Sequence, residues 1–339
     1  MPEPILYLKA FLAVVVASAI VLLALRLVVR DATDCVAAAA GVAAISVGLM
    51  AGYDVLLFSW TWSPVNALNR FLMIVLPATL IVELLTAVLH TGVHSRYVMI
   101  VLRVTLYACA GRILLHDSVY LSGVDSDSGD AWTMTRTVAT LCGGFGGLIV
   151  VWSLLSRLSR RSASCSITLS LAMAVVCTGL ATMMAGYIKG GVAAIPLAAA
   201  LVGVALVSPF LTTGLDDPGK PYLQGAIGIG VVGLFSLLCI GHYFGQLRGL
   251  HAAVIFLTPL LCWMSEIPGP ASAPPLQKLT LRLIAVTIPL AAVLFVARQD
   301  FDRKMAPLLA GVPSMEAGIS VSPALVSSPS FSSQFHKHL

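Results

Sequence analysis

The residues best placed to do chemistry in this chain are ionisable groups set inside long apolar runs. Glu83 and Arg103 fall within the third and fourth runs, and Asp54 and Arg112 within the second and fourth. On insertion scales an ionisable group in a membrane span costs roughly 2.5–3.5 kcal/mol, so each needs a partner or a purpose. Depth along the runs supplies the partners. Glu83 stands about seven residues before one end of its run and Arg103 about six after the same end of the next. At about 1.5 Å per residue both lie about 9–10 Å deep. Asp54 and Arg112 match in the same way toward the opposite face. The spacing therefore predicts two ion pairs, Glu83–Arg103 and Asp54–Arg112. Such pairs either fasten helices together or line a path for a solute or a proton.

A second gathering lies near the predicted outer pair. His116 follows Arg112 at i, i+4, which would place both on one helical face. His242, near the end of the eighth run, and His251, near the start of the ninth, fall on the same side, as do Arg70, Asp117 and Arg136. A cationic, imidazole-rich pocket suits an anionic headgroup, a lipid phosphate or a small organic acid. The substrate or pathway candidates are thus Asp54, Glu83, Arg103, Arg112, His116, His242 and His251.

No catalytic residue is assigned. There is no GxSxG elbow, and Cys142 in LCGGFGG has no base in a neighbouring turn. The stretch GAIGIGVVG at 225–233 has neither a following Lys-Ser/Thr nor a preceding strand, so it reads as close helix packing rather than a nucleotide loop. His90 and His94 are spaced i, i+4, yet HTGVH is not HExxH, and Gly92 would break the helix between them. No metal, haem or other cofactor is expected. The seven cysteines include no CxxC and read as small apolar residues rather than a disulfide framework.

The elements that must position these groups follow from composition. The chain is 58% hydrophobic and 10% charged, with a mean hydropathy of +0.96. A soluble domain carries about 25% charge. Apolar runs at 5–29, 35–59, 69–90, 97–116, 136–156, 166–187, 190–211, 222–245, 249–265 and 278–297 approach or exceed the roughly 20 residues a span needs. Each should be a helix, because lipid offers the backbone no hydrogen-bond partner. The fold expected is all-α, a multi-pass transmembrane helical bundle of about ten spans. The ninth run is short, so nine spans with a re-entrant segment is the alternative. The first run is too long for a signal peptide and no cleavage site follows it, which makes it a retained helix. Residues 1–299 form the membrane domain, and 300–339, rich in Pro, Ser and Gly from 311, an expected disordered tail. Prolines 77, 196, 209, 259 and 289 should bend their spans, and Gly190–Gly191 before Pro196 predicts a bent entry to the seventh.

Orientation follows from Arg157, Arg160 and Arg161, which mark a cytoplasmic loop and place the N-terminus outside. Trp60, Trp62 and Trp132 would then form an outer aromatic belt. The basic residues Arg298, Arg303 and Lys304 after the last run oppose this placement. The net charge of +5 is thinly spread, with no basic run interleaved with aromatics, so no nucleic-acid partner is expected. The partners are the lipid bilayer and, through GxxxG pairs at Gly48/Gly52, Gly143/Gly147, Gly241/Gly245 and Gly245/Gly249, other membrane proteins or a second copy. Ala, Val and Gly enrichment points to a bacterial plasma (inner) membrane. These features fit first a small permease for a small or anionic solute. They fit next a non-catalytic membrane subunit or anchor of a larger complex. An enzyme on lipid-linked substrates, working at the outer face through Arg112 and His116, is the third reading and lacks a motif.

Overall fold

The computed structural model describes residues 4–28, 34–58, 64, 66–89, 93–118, 120–121, 133–161, 164–211, 221–266 and 274–310. Every regular element among them is helical, and ten helices are long and apolar enough to cross a membrane. They are α1 (Pro4–Val28), α2 (Asp34–Val55), α3 (Ala67–Val88), α4 (Val93–Leu115), α5 (Met134–Ser159), α6 (Ser164–Met184), α7 (Ile188–Leu211), α8 (Gln224–Tyr243), α9 (Gly249–Glu266) and α10 (Pro275–Ala310). The chain is an integral, multi-pass helical membrane protein. We call the face at which α1 begins the amino end, and the opposite face the far end. The last helix runs past residue 300, where sequence alone began the tail. His90, Gly92, the three outer tryptophans, the acidic stretch 122–130 and the tail from 311 lie outside the described residues.

The centre of the bundle is α8, with α6 and α7 beside it, while α1, α5 and α10 are peripheral. Glycine makes this centre possible, because α8 has no side chain where its neighbours press closest. Gly225 meets Val42 of α2, Gly230 meets Leu171 and Leu201, and Gly233 meets Leu197. The GAIGIGVVG stretch is a packing surface. Gly48 and Gly52 likewise admit Ser18 and Val14 of α1 and Pro196 of α7. Gly241 is a further close approach, of α8 on Thr182 of α6, whereas Gly245 and Gly249 serve the turn into α9. Gly241 faces Thr182 and Leu247, Gly245 faces Tyr187, and Gly249 lies against the His242 ring. Beyond its own helix backbone, no atom of the described residues lies within 4 Å of a Cβ placed at Gly143.

Prolines accompany irregularities in three spans. Pro77 cannot donate to the carbonyl four residues back, and the turn before it widens to a π-helix over Phe71–Val75. In α7 the helix is interrupted at Ala193, three residues before Pro196, and the Ala193 carbonyl accepts from the Tyr53 hydroxyl at 3.1 Å. Gly190 and Gly191 precede this break, so the bend falls where the sequence placed it.

Pro259 changes α9 from α-helix (Gly249–Leu257) to 3₁₀ helix (Thr258–Glu266). A 3₁₀ helix rises about 2.0 Å per residue against about 1.5 Å, so two nine-residue halves reach about 31 Å. That matches a hydrocarbon core of about 30 Å. The short ninth run therefore spans the full bundle and is not a re-entrant segment. Its first turn lies near His242 at the amino end, and Glu266 meets Arg282 at the far end.

Candidate functional site

Of the two predicted ion pairs the structure assembles one. Arg103 of α4 grips Glu83 of α3 with both edges of its guanidinium: Nε donates to Oε1 at 3.0 Å and Nη2 donates to Oε2. Glu83 is 2% exposed and Arg103 9%. No hydrogen bond forms from Nη1 among the described residues. The guanidinium carbon also sits 5.4 Å from the centre of the Trp152 ring of α5, in a cation–π contact. Tyr107, one helical turn along α4 from Arg103, meets the same indole edge-on at 5.7 Å. Its hydroxyl is buried without a hydrogen-bond partner among the described residues.

The central helix completes this setting. A Cβ on Gly228 would lie 2.1 Å from Glu83 Oε1 and 2.6 Å from Cδ, so the carboxylate occupies a notch that only glycine leaves open. Gly225, nearly one turn earlier, lies 3.8 Å from the Glu83 side chain by the same measure. At the far end a cavity of about 80 Å³ leads to the pair. Asp34, Cys35 and Ala38 of α2 line it, together with Thr86 and Ala87 of α3 and Gln224 and Gly225 of α8. Within that lining Glu83 and Arg103 form the ion pair, and Asp34 is the one further charged group.

Asp54 and Arg112 do not meet. Both are exposed, with no ion pair between them among the described residues. Depth matching ignored neighbourhood: α2 packs on α1, α3, α7 and α8, whereas α4 packs on α3, α5 and α8. Exposed near the amino end, both side chains can reach toward headgroups along their apolar stems.

The predicted outer pocket is also taken apart. His116 lies beyond the last residue of α4, so it does not continue the face of Arg112. Arg70, at the start of α3, instead donates from Nη1 to the His116 carbonyl and from Nη2 to Asp117 Oδ2 at 3.2 Å. Asp117, at φ 50°, also holds His116 Nδ1 at 2.9 Å. This is a clasp on the carboxyl end of α4. His242 Nδ1 pairs with the Leu247 carbonyl at 2.8 Å and braces the turn into α9, and His251 is buried at the start of α9. His94 sits in the first turn of α4, and no group of three or more metal-ligating side chains exists among the described residues.

Two groups of importance escaped sequence reading. Arg282 of α10 is 2% exposed and donates to Ser265 Oγ at 2.6 Å, Ser166 Oγ at 2.7 Å and Glu266 Oε1 at 2.8 Å. It clamps α6, α9 and α10 at the far end. The signal was present: Glu266 lies only 16 residues before it, at the end of the preceding run. The Gly228 notch was the second, hidden in a stretch whose glycines look alike.

A scan against protein-family models finds no match, and no curated protein matches the chain in sequence.

Proposed function

We propose that the protein is a small permease for a small anionic solute, with its binding site at the far-end cavity rather than at the amino end. The observation that carries this reading is a buried guanidinium lining a cavity, held by a carboxylate yet with one nitrogen that makes no hydrogen bond among the described residues. A charge pair serving only as a fastener would be better sealed, because an open cavity lets water compete for it. Arg103 is more accessible than Glu83, with side chains 11% and 1% exposed, so an incoming solute meets the cation first. Asp34 bears the opposing charge at the mouth, offset by the positive end of its own helix. The π-turn and Pro77 of α3 interrupt the regular α-helix between the Arg70 clasp and Glu83.

The bidentate grip of Arg103 on Glu83 indicates the solute class. A planar carboxylate fits the fork, one guanidinium balances one charge, and the small cavity favours a small molecule. The test is uptake of radiolabelled pyruvate, lactate and glycolate by proteoliposomes. Saturable uptake that disappears in Arg103→Met is expected. No protein-dependent uptake of any of the three overturns the proposal.

A subunit or anchor role is the second reading, supported by the open face of α5 at Gly143 and by its exposed first turns. A stoichiometric protein partner retained through purification in mild detergent would favour it.

A further inference from the structure

We infer that the cavity couples each monocarboxylate to one proton, carried by Glu83, so that the protein is an electroneutral anion–proton symporter. The inference rests on the permease reading above. It starts from the fact that the seat a solute carboxylate would take on Arg103 is already filled by a carboxylate. Both cannot hold the Nε–Nη2 edge at once, and a solute that enters on Nη1 displaces Glu83 when it takes that edge. When the solute takes it, Glu83 is left in a notch walled by Gly225 and Gly228, nearly sealed from water.

Among the described residues, the elements packed around Glu83 offer it no other cation. From α2 come Asp34 and Cys35, from α8 Gln224 and the two glycines, and from α4 Tyr107 beside Arg103. A lone carboxylate in a membrane interior must be paired or neutralised. Neutralisation needs one proton, and the cavity admits it from solution at the far end. The step balances. The two N–H···O hydrogen bonds from Arg103 to Glu83 break, the solute carboxylate oxygens accept from the same N–H groups, and a proton from solution adds to a Glu83 carboxylate oxygen. Release reverses all three events. One negative and one positive charge cross together, so no net charge moves. The Tyr107 hydroxyl, one turn further along α4 and without a hydrogen-bond partner among the described residues, is a spare donor beside the pair.

The experiment uses proteoliposomes of the full chain, with labelled pyruvate, lactate and glycolate, a pH dye inside and protein-free vesicles subtracted. For one-proton coupling, one unit of acid-outside gradient should drive about tenfold accumulation. Interior acidification should match uptake one for one, and a potassium–valinomycin potential should change neither. Uptake without acidification, or uptake driven by the potential, overturns the coupling and leaves the permease reading standing. No uptake of any probe overturns both. Glu83→Gln should bring the accumulation ratio down to about one, whereas full gradient-driven accumulation in this variant removes Glu83 as the carrier. The wild-type measurement decides the coupling even if the variant fails to fold.

Discussion

At the residue scale the account turns on an inequality between the members of one ion pair. Glu83 is sealed, while Arg103 reaches the cavity, so losing either partner should not cost the same. Arg103→Met strands a buried carboxylate and should destabilise by about 3–5 kcal/mol. Glu83→Gln leaves a guanidinium that water can reach, and should cost less than half as much. Unfolding in mixed micelles measures both, and equal costs would contradict the asymmetry. Gly228→Ala should destabilise by about 1–3 kcal/mol, since its new methyl collides with Oε1. In a Glu83→Ala background most of that loss should vanish, which a double-mutant thermal comparison will show. This pair was legible in the sequence because both residues lie deep in consecutive helices that pack together. Asp54–Arg112 met the same depth criterion and failed, because nothing in the spacing says which helices are neighbours. His116 failed for another reason: the helix ends one residue before it.

At the scale of elements, proline explains what apolar length could not. The ninth run looked too short because its rise was reckoned as α throughout. Pro259 blocks that geometry from Thr258 on, and the tighter coil is longer per residue. Pro259→Ala should let the second half return to α-helix and shorten α9 by about 4–5 Å. Ser265 and Glu266 would then withdraw from Arg282. The expected signature is non-additivity: Arg282→Met should cost less in the Pro259→Ala protein than in wild type. Additive losses would show that the 3₁₀ segment does not hold the clamp. The bend in α7 was readable from Gly190, Gly191 and Pro196, whereas the π-turn in α3 was not, because proline alone does not specify how a helix yields.

At the scale of the whole molecule, ten spans and a glycine-rich centre were written in composition and period. What composition left open was which polar groups the bundle would collect. Residues far apart in the chain, Asp34, Glu83, Arg103 and Gln224, meet at the far end only because α8 is thin enough for α2, α3 and α4 to close on it. The amino end, richer in histidine and arginine on paper, resolves into a helix clasp and a braced turn.

The central claim is that this far-end cavity is where the solute binds, and Cys35 in its lining reports on it directly. In a protein retaining Cys35 alone among its seven cysteines, the rate of modification by a negatively charged methanethiosulfonate should be measured with and without pyruvate. The account predicts modification that pyruvate slows, with the protection lost in Arg103→Met. A Cys35 that does not react, or that reacts at the same rate whatever anion is present, would contradict it.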